Sequence, residues 1–273
     1  MKVDQEQLVA LVVGASSGVG RATAEALAKR GHTVFGSSRT RLRVNSPGIT
    51  PVELEVGSEH SVDSAVQHVL KLADRIDVVI YSAGAYVAGA AEETSDELAI
   101  AQLEGYFIGA HRVVRAVLAT MREQGRGRLV LMSSSAAVAA IPFHSLYSAS
   151  KAALNHYADA LRYEVEPFGI EVTCIEATSV RTGAVDTMST DKPIRAYEPG
   201  RTRVIDGFRR LQLDGPSPEP LAQAIVHAVE SRKMRHVYRV GPRARLLPAL
   251  RSVLPQFVFR RLYGGFFGLS RAR

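Results

Sequence analysis

The chain has 273 residues, 46% hydrophobic and 22% charged, which is ordinary for a globular protein with one well-buried core. Its single cysteine, Cys174, excludes an intrachain disulfide and a cysteine-based metal cluster. The formal net charge is +7, but residues 231–273 carry eleven of the 34 Lys/Arg and none of the 27 Asp/Glu, so the preceding body is mildly acidic. A nucleic-acid-binding body would need its cations spread over a folded face, so no nucleic-acid partner is expected.

The first eight residues include Asp4 and Glu6 and have no apolar core, which argues against a signal peptide. No apolar run reaches the ~18 uncharged residues of a membrane-spanning helix. A reducing cytoplasm fits this composition, and no metal site is expected. There is no internal repeat, and no Ser/Pro/Gly-rich linker divides the chain.

In chain order, 8–13 is a short apolar strand, followed by a Gly-rich turn and a helix over 19–30. Strands follow at 33–37 and 51–56, then a helix at 61–73 and a strand at 76–81. One long helix is expected over 96–123, a strand at 127–133, a long helix at 147–168 and a strand at 170–176. A helix at 218–231 and a strand at 237–240 complete the pattern. The strands are continuous apolar runs rather than alternating ones, so both faces should be covered. Strand and helix in strict turn predict an α/β fold, a Rossmann-type doubly wound parallel sheet with helices on both faces. The domain should run over 1–240, with a basic amphipathic extension at 241–273. Residues 181–216 break the rhythm and are long enough for a lid over a ligand.

The first strand runs into Gly14-Ala15-Ser16-Ser17-Gly18-Val19-Gly20. Glycines at this spacing let the backbone turn tightly and approach a pyrophosphate seated on the next helix N-terminus. After the second strand, a site for NAD usually carries an acid, whereas an Arg accommodates a 2′-phosphate. This chain reads Ser37-Ser38-Arg39, with Arg41 and Arg43 behind and no acid, so NADP(H) is the expected cofactor.

Tyr147 and Lys151, at i and i+4, share one helix face. A phenol, with an ordinary pKa of ~10, is a poor base until a neighbouring ammonium favours its phenolate. The pair therefore reads as a general acid/base. Lys151 could also hydrogen-bond a nicotinamide ribose. Ser134, just past the fifth strand, is placed to hydrogen-bond a substrate oxygen where charge develops.

Taken together, the chain resembles the short-chain dehydrogenase/reductase family over about residues 8–240. The resemblance rests on Gly14, Gly18 and Gly20, Tyr81-Ser82-Ala83-Gly84, Ser133-Ser134 and Tyr147-x-x-x-Lys151, in the family's order. Gly109-x-x-Arg112-Val113 and Gly127-Arg128-Leu129-Val130 look like its fourth helix and fifth strand. The resemblance implies catalysis by Ser134, Tyr147 and Lys151, and cofactor contacts from the Gly turn, Arg39, Glu55-Val56, Ser82-Ala83-Gly84, Val180 and Thr182. It also implies a hydride exchanged between NADP(H) and a carbonyl or alcohol carbon, and a homodimer or homotetramer.

Four positions depart from the family's pattern. Ser82 replaces an Asn, Glu55 stands where an Asp often contacts the adenine, and Ala177-Thr178 replaces a Pro-Gly. Tyr106 stands where an Asn anchors a water leading to the Lys. Its ring is expected to turn away and leave that route open. The competing reading is a chain that binds NADP(H) with little turnover.

Ala139, Ala140, Ile141, Pro142 and Phe143 are expected to form an apolar wall, and Met188, Ile194, Tyr197, Val204, Ile205 and Phe208 to give the lid a mixed surface. A hydrophobic ketone or alcohol follows. In the tail, apolar residues near helical spacing lie among Arg251, Arg260, Arg261, Arg271 and Arg273, with Pro248 and Pro255 arguing against one unbroken helix. Packing on the body is favoured over contact with an anionic membrane surface. Residues 237–242 and this tail resemble the steroid- and retinol-type branch of the family.

Overall fold

The structure, a computed structural model, describes residues 6–40, 46–183 and 192–269. Seven parallel strands form one sheet in the order β3-β2-β1-β4-β5-β6-β7. They are β1 (Val9–Val13), β2 (Thr33–Ser38), β3 (Ile49–Glu53), β4 (Val78–Tyr81), β5 (Gly127–Ser134), β6 (Ile170–Ala177) and β7 (Val237–Val240).

The apolar runs behave as their composition requires. Every residue of β1 is buried, with Leu11 and Val13 facing one core and Ala10 and Val12 the other. The first core is closed by α2 (Glu59–Ala73), α4 (Gly109–Gln124) and α5 (Ser145–Val165) through Val66, Val113 and Leu154. The second is closed by α1 (Gly18–Lys29) and α7 (Glu219–Glu230) through Leu27 and Ile225. This is the expected doubly wound architecture. The chain moves outward from β1 to β3, then crosses back to β4 on the other side of β1. That reversal opens a crevice at the carboxyl ends of β1 and β4, where such sheets bind ligands.

Beyond shifts of two or three residues at the ends of β4, α2 and α5, three differences from expectation bear on the site. The third strand begins two residues earlier, at Ile49, and ends at Glu53. It tolerates Pro51 because β3 is an edge strand, and beyond it the Glu55 N–H is taken by the Ser61 hydroxyl rather than by the sheet. The long helix is interrupted: α3 (Asp96–Leu103) passes into a π-helical turn over Glu104–Ile108 before α4 begins. The Gly109 N–H reaches back to the Glu104 carbonyl, and the buried Tyr81 hydroxyl donates to the Gly105 carbonyl at 2.7 Å. The expected lid contains a real helix, α6 (Gly200–Leu213), which buries Val204 and Phe208.

The tail forms α8 (Pro242–Val253) and α9 (Gln256–Phe266). The break falls at Pro255; Pro248 lies inside α8, which continues through it. Phe259 and Phe267 are buried, and the Tyr263 hydroxyl donates to the Ala139 carbonyl at 3.1 Å, so one face of the tail packs on the body. No described helix is long and apolar enough to cross a membrane.

Candidate active site

The Gly turn leaves β1 with almost no room for side chains. Gly14 has φ +87°, and a Cβ there would lie 2.8 Å from the Ala83 nitrogen; one on Gly20 would lie 2.1 Å from the Gly14 carbonyl oxygen. The turn is therefore pressed against Ser82-Ala83 at the end of β4, and the Ser82 N–H donates to the Val13 carbonyl at 2.9 Å. Ser17 caps α1 in an extended conformation, and its hydroxyl takes no hydrogen bond from the helix. The first-turn N–H groups of α1 thus lack a side-chain cap. Backbone without Cβ atoms and a helix N-terminus of this kind fit a pyrophosphate.

The other expected cofactor residues surround this turn. Arg39 is exposed one residue past β2, with no acidic partner among the described residues. Arg41 and Arg43 lie outside them. Glu55 is exposed in the turn after β3, its carboxylate accepting the Gly57 N–H at 3.1 Å, and the Val56 carbonyl accepts from Arg112. Thr182 meets the turn from the other side, since a Cβ on Gly18 would lie 3.1 Å from its Cγ2. The Val180 N–H is held by the Gln212 side chain of α6 at 3.1 Å, and the Arg181 N–H by the Pro216 carbonyl. The two ends of the lid segment are thereby clipped together.

Ser134, Tyr147 and Lys151 converge on one cavity of about 400 Å³. Ser134 ends β5, and its hydroxyl accepts the Ala136 N–H at 3.1 Å. Tyr147 lies in the first turn of α5, deep in the fold but open to the cavity. Burial raises its pKa, and a hydrogen bond with Ser134 acts in the opposite sense. Lys151, one helical turn on, donates to the Met132 carbonyl at 2.6 Å. Burial pulls its pKa down to about 7.

Tyr106 has not turned away. The π-helical turn carries its ring beneath Lys151, whose Nζ lies 4.0 Å from the ring centroid. The ring meets Tyr147 edge-on at 5.4 Å and fills the space above Gly84, where a Cβ would come within 2.1 Å of Tyr106 Cε1. The expectation of a ring rotated out of the site is corrected accordingly. The physical reason is that Gly84 and the π-helical turn together leave a slot the size of the ring.

The cavity walls are only partly those expected. Of the anticipated wall, Ile141 lines the cavity, while Ala140 is exposed and the Phe143 ring packs on Tyr197. From the lid, Phe208 lines it; Ile194 and Tyr197 instead fix the lid to the loop after β4, and Met188 lies outside the described residues. Tyr86, two residues past Gly84, packs against Tyr147 with the rings tilted at 44° and 4.4 Å between centroids. Its closeness to Ser82-Ala83-Gly84 was the available signal for it. Met132, Ala177 and Leu221 of the body line it too, and the tail closes it through residues such as Leu247, Leu250, Phe259 and Tyr263. Among the described residues, no cluster of His, Cys, Asp and Glu is placed to hold a metal ion.

Residues 8–193 match the short chain dehydrogenase family. The chain belongs to that family. Among its relatives is the 3-ketodihydrosphingosine reductase of Bacteroides thetaiotaomicron, 32% identical over 95% of this chain and 98% of that one. The uncharacterized oxidoreductase YbbO of Escherichia coli is 32% identical over 93% of each chain. A crystal structure of a short-chain dehydrogenase from Streptomyces avermitilis superimposes with a TM-score of 0.82 at 30% identity, covering 96% of this chain and 99% of that one. This short chain dehydrogenase is thus an oxidoreductase that keeps the family's fold and places an aromatic ring beside Lys151.

Proposed function

We propose that the protein is an NADP(H)-dependent oxidoreductase that reduces the ketone of a long-chain, mostly apolar molecule, or oxidises the matching secondary alcohol. The observation that carries this reading is the convergence of Ser134, Tyr147 and Lys151 on a cavity whose other walls are largely aliphatic and aromatic. The Bacteroides relative, named for 3-ketodihydrosphingosine, supports a long-chain ketone as the substrate class.

When bound, the dinucleotide supplies or accepts the hydride. Gly14, Ser16, Ser17, Gly18, Val19 and Gly20 would hold its pyrophosphate, and Arg39 its 2′-phosphate. Glu55 and Val56 would border the adenine, while Ser82, Ala83, Gly84, Val180 and Thr182 would line the path to the nicotinamide. Tyr147 donates its phenolic proton to the carbonyl oxygen of the substrate, and the Ser134 hydroxyl holds that oxygen. Negative charge then appears on the phenol. The Lys151 ammonium, 5.9 Å from the Tyr147 ring, stabilises it. Lys151 also orders the nicotinamide ribose in this reading.

The test is NADPH oxidation against 3-keto compounds of increasing alkyl length. If the cavity takes the alkyl chain, kcat/KM should rise by up to about fourfold per methylene until the cavity is full, from ~0.8 kcal/mol per buried CH₂. Tyr147→Phe should lower kcat by about 10² to 10⁴, the usual contribution of a general acid, while NADPH binding is retained. No dependence on length, or wild-type kcat in Tyr147→Phe, overturns the reading. The Tyr106 ring beside Lys151 favours a second reading, a binder of NADP(H) with little turnover. Measurable NADPH binding with no oxidation across the series would establish that one.

A further inference from the structure

Helices α8 and α9 wall one side of the cavity, and several of these wall residues are unusual for a surface in water. Leu246, Leu262 and Phe266 both line the cavity and are more than half exposed, at 55%, 62% and 52%. Beside them, Val253 and Phe257 are 80% and 72% exposed. Half of the ten exposed large hydrophobic side chains among the described residues lie on this one pair of helices; the others are scattered over separate elements. Singly exposed apolar residues are ordinary, but a cluster beside a cavity marks an interaction surface.

The charges on the same face all have one sign. Arg243, Arg245, Arg251, Arg260 and Arg261 are exposed, and no acid occurs from residue 231 onward. Arg243 lies over the Phe266 ring at 5.2 Å and Arg251 over the Phe259 ring at 5.9 Å. The helices have 12 and 11 residues, too short to span a bilayer. Short helices with aromatic and aliphatic residues among arginines that have no acidic partner are suited to lie in a lipid–water interface. We propose that the outer face of α8 and α9 docks on an anionic lipid bilayer, so that this wall of the cavity lies at the membrane surface. A second copy of the chain is the poorer fit, because a self-complementary interface would need acids to receive five arginines and this face has none.

The test uses the full chain, and its binding readouts need no turnover, so they stand or fail apart from the proposed activity. Phosphatidylcholine vesicles with and without phosphatidylglycerol are sedimented with the protein. Binding should be at least about tenfold stronger with the anionic lipid and should weaken as salt rises. The chain has no Trp, so Phe257→Trp introduces a single indole, whose emission should shift to the blue on anionic vesicles only. Val253→Ser with Phe257→Ser, and separately Arg260→Glu with Arg261→Glu, should each weaken partitioning by about tenfold or more. Turnover of a short soluble ketone should be unchanged in both, since none of the four side chains lines the cavity. The proposal is overturned if the wild type does not sediment, if the indole does not shift, or if the Ser variant partitions normally. It is equally overturned if the face instead holds a dimer that the Ser variant dissociates, or an acidic carrier protein, in the absence of lipid binding.

Discussion

At Tyr106 the π face of the ring lies against Lys151, whose Nζ also donates to the Met132 carbonyl. Burial disfavours the ammonium and pulls the Lys151 pKa to about 7, so it is protonated below that pH and neutral above. The quadrupole of the Tyr106 ring opposes this, by about 2 kcal/mol at a desolvated site. Reductive kcat/KM should therefore fall as pH rises through about 7, because the ammonium that stabilises the phenolate is lost. Tyr106→Phe keeps the π face and should keep this profile; Tyr106→Leu should move the falling limb about one pH unit lower. An unshifted limb in the Leu variant would remove the ring from any electrostatic role. Arg39 makes a separate, local prediction. Arg39→Asp should cost NADPH about tenfold to a hundredfold in affinity while NADH binding changes little, from the ~1.5–3 kcal/mol of a hydrogen bond to a charged group. Equal losses for both cofactors in a direct binding titration would contradict the 2′-phosphate assignment. The spacing of Tyr147 and Lys151 was legible in the sequence because one helical turn fixes it. The orientation of Tyr106 was not, because it depends on the empty volume at Gly84 and on the interrupted helix, neither of which leaves a local pattern.

Among the elements, the lid helix α6 is tied down by a buried charge. Glu93 is nearly inaccessible and accepts the N–H groups of Ala90 at 2.8 Å and Ile194 at 2.7 Å, while Arg201 of α6 bridges it to Glu198. Burial alone would raise the Glu93 pKa, but those N–H donors and the guanidinium together hold it below the ordinary carboxylate range. Arg201→Met should destabilise the fold by about 3 kcal/mol in a denaturant titration, because it removes the cationic partner of a buried carboxylate. It should also raise KM, since Phe208 on the same helix is part of the cavity wall. A change below about 0.5 kcal/mol, the scale of an ordinary surface substitution, would show that the latch holds nothing. The strands were readable because continuous runs such as Val9–Val13 have no other stable environment than a sheet covered on both faces. Helix α6 was not, because its Gly, Thr, Arg and Asp residues mask the few positions, Val204 and Phe208, that it buries.

For the molecule as a whole, β5 and α5 carry Ser134, Tyr147 and Lys151, and the tail supplies the roof over them. Phe267 is 8% exposed and packs in one cluster with Tyr86, Ile141 and Phe208. Phe267→Ala should cost about 3–5 kcal/mol of stability and flatten the dependence of kcat/KM on alkyl length, because the roof loses a wall while the floor is untouched. Retention of the full length dependence would place the alkyl chain elsewhere. The roof also has a consequence for how the protein is made. Helices α8 and α9 are translated after every other described element, including β7, which completes the free edge of the sheet. A nascent chain that has finished its sheet therefore lacks the cover that Phe267, Tyr263 and Leu269 give to the cluster of Tyr86, Ile141 and Phe208. Apolar surface left uncovered in that interval favours aggregation until the two tail helices dock.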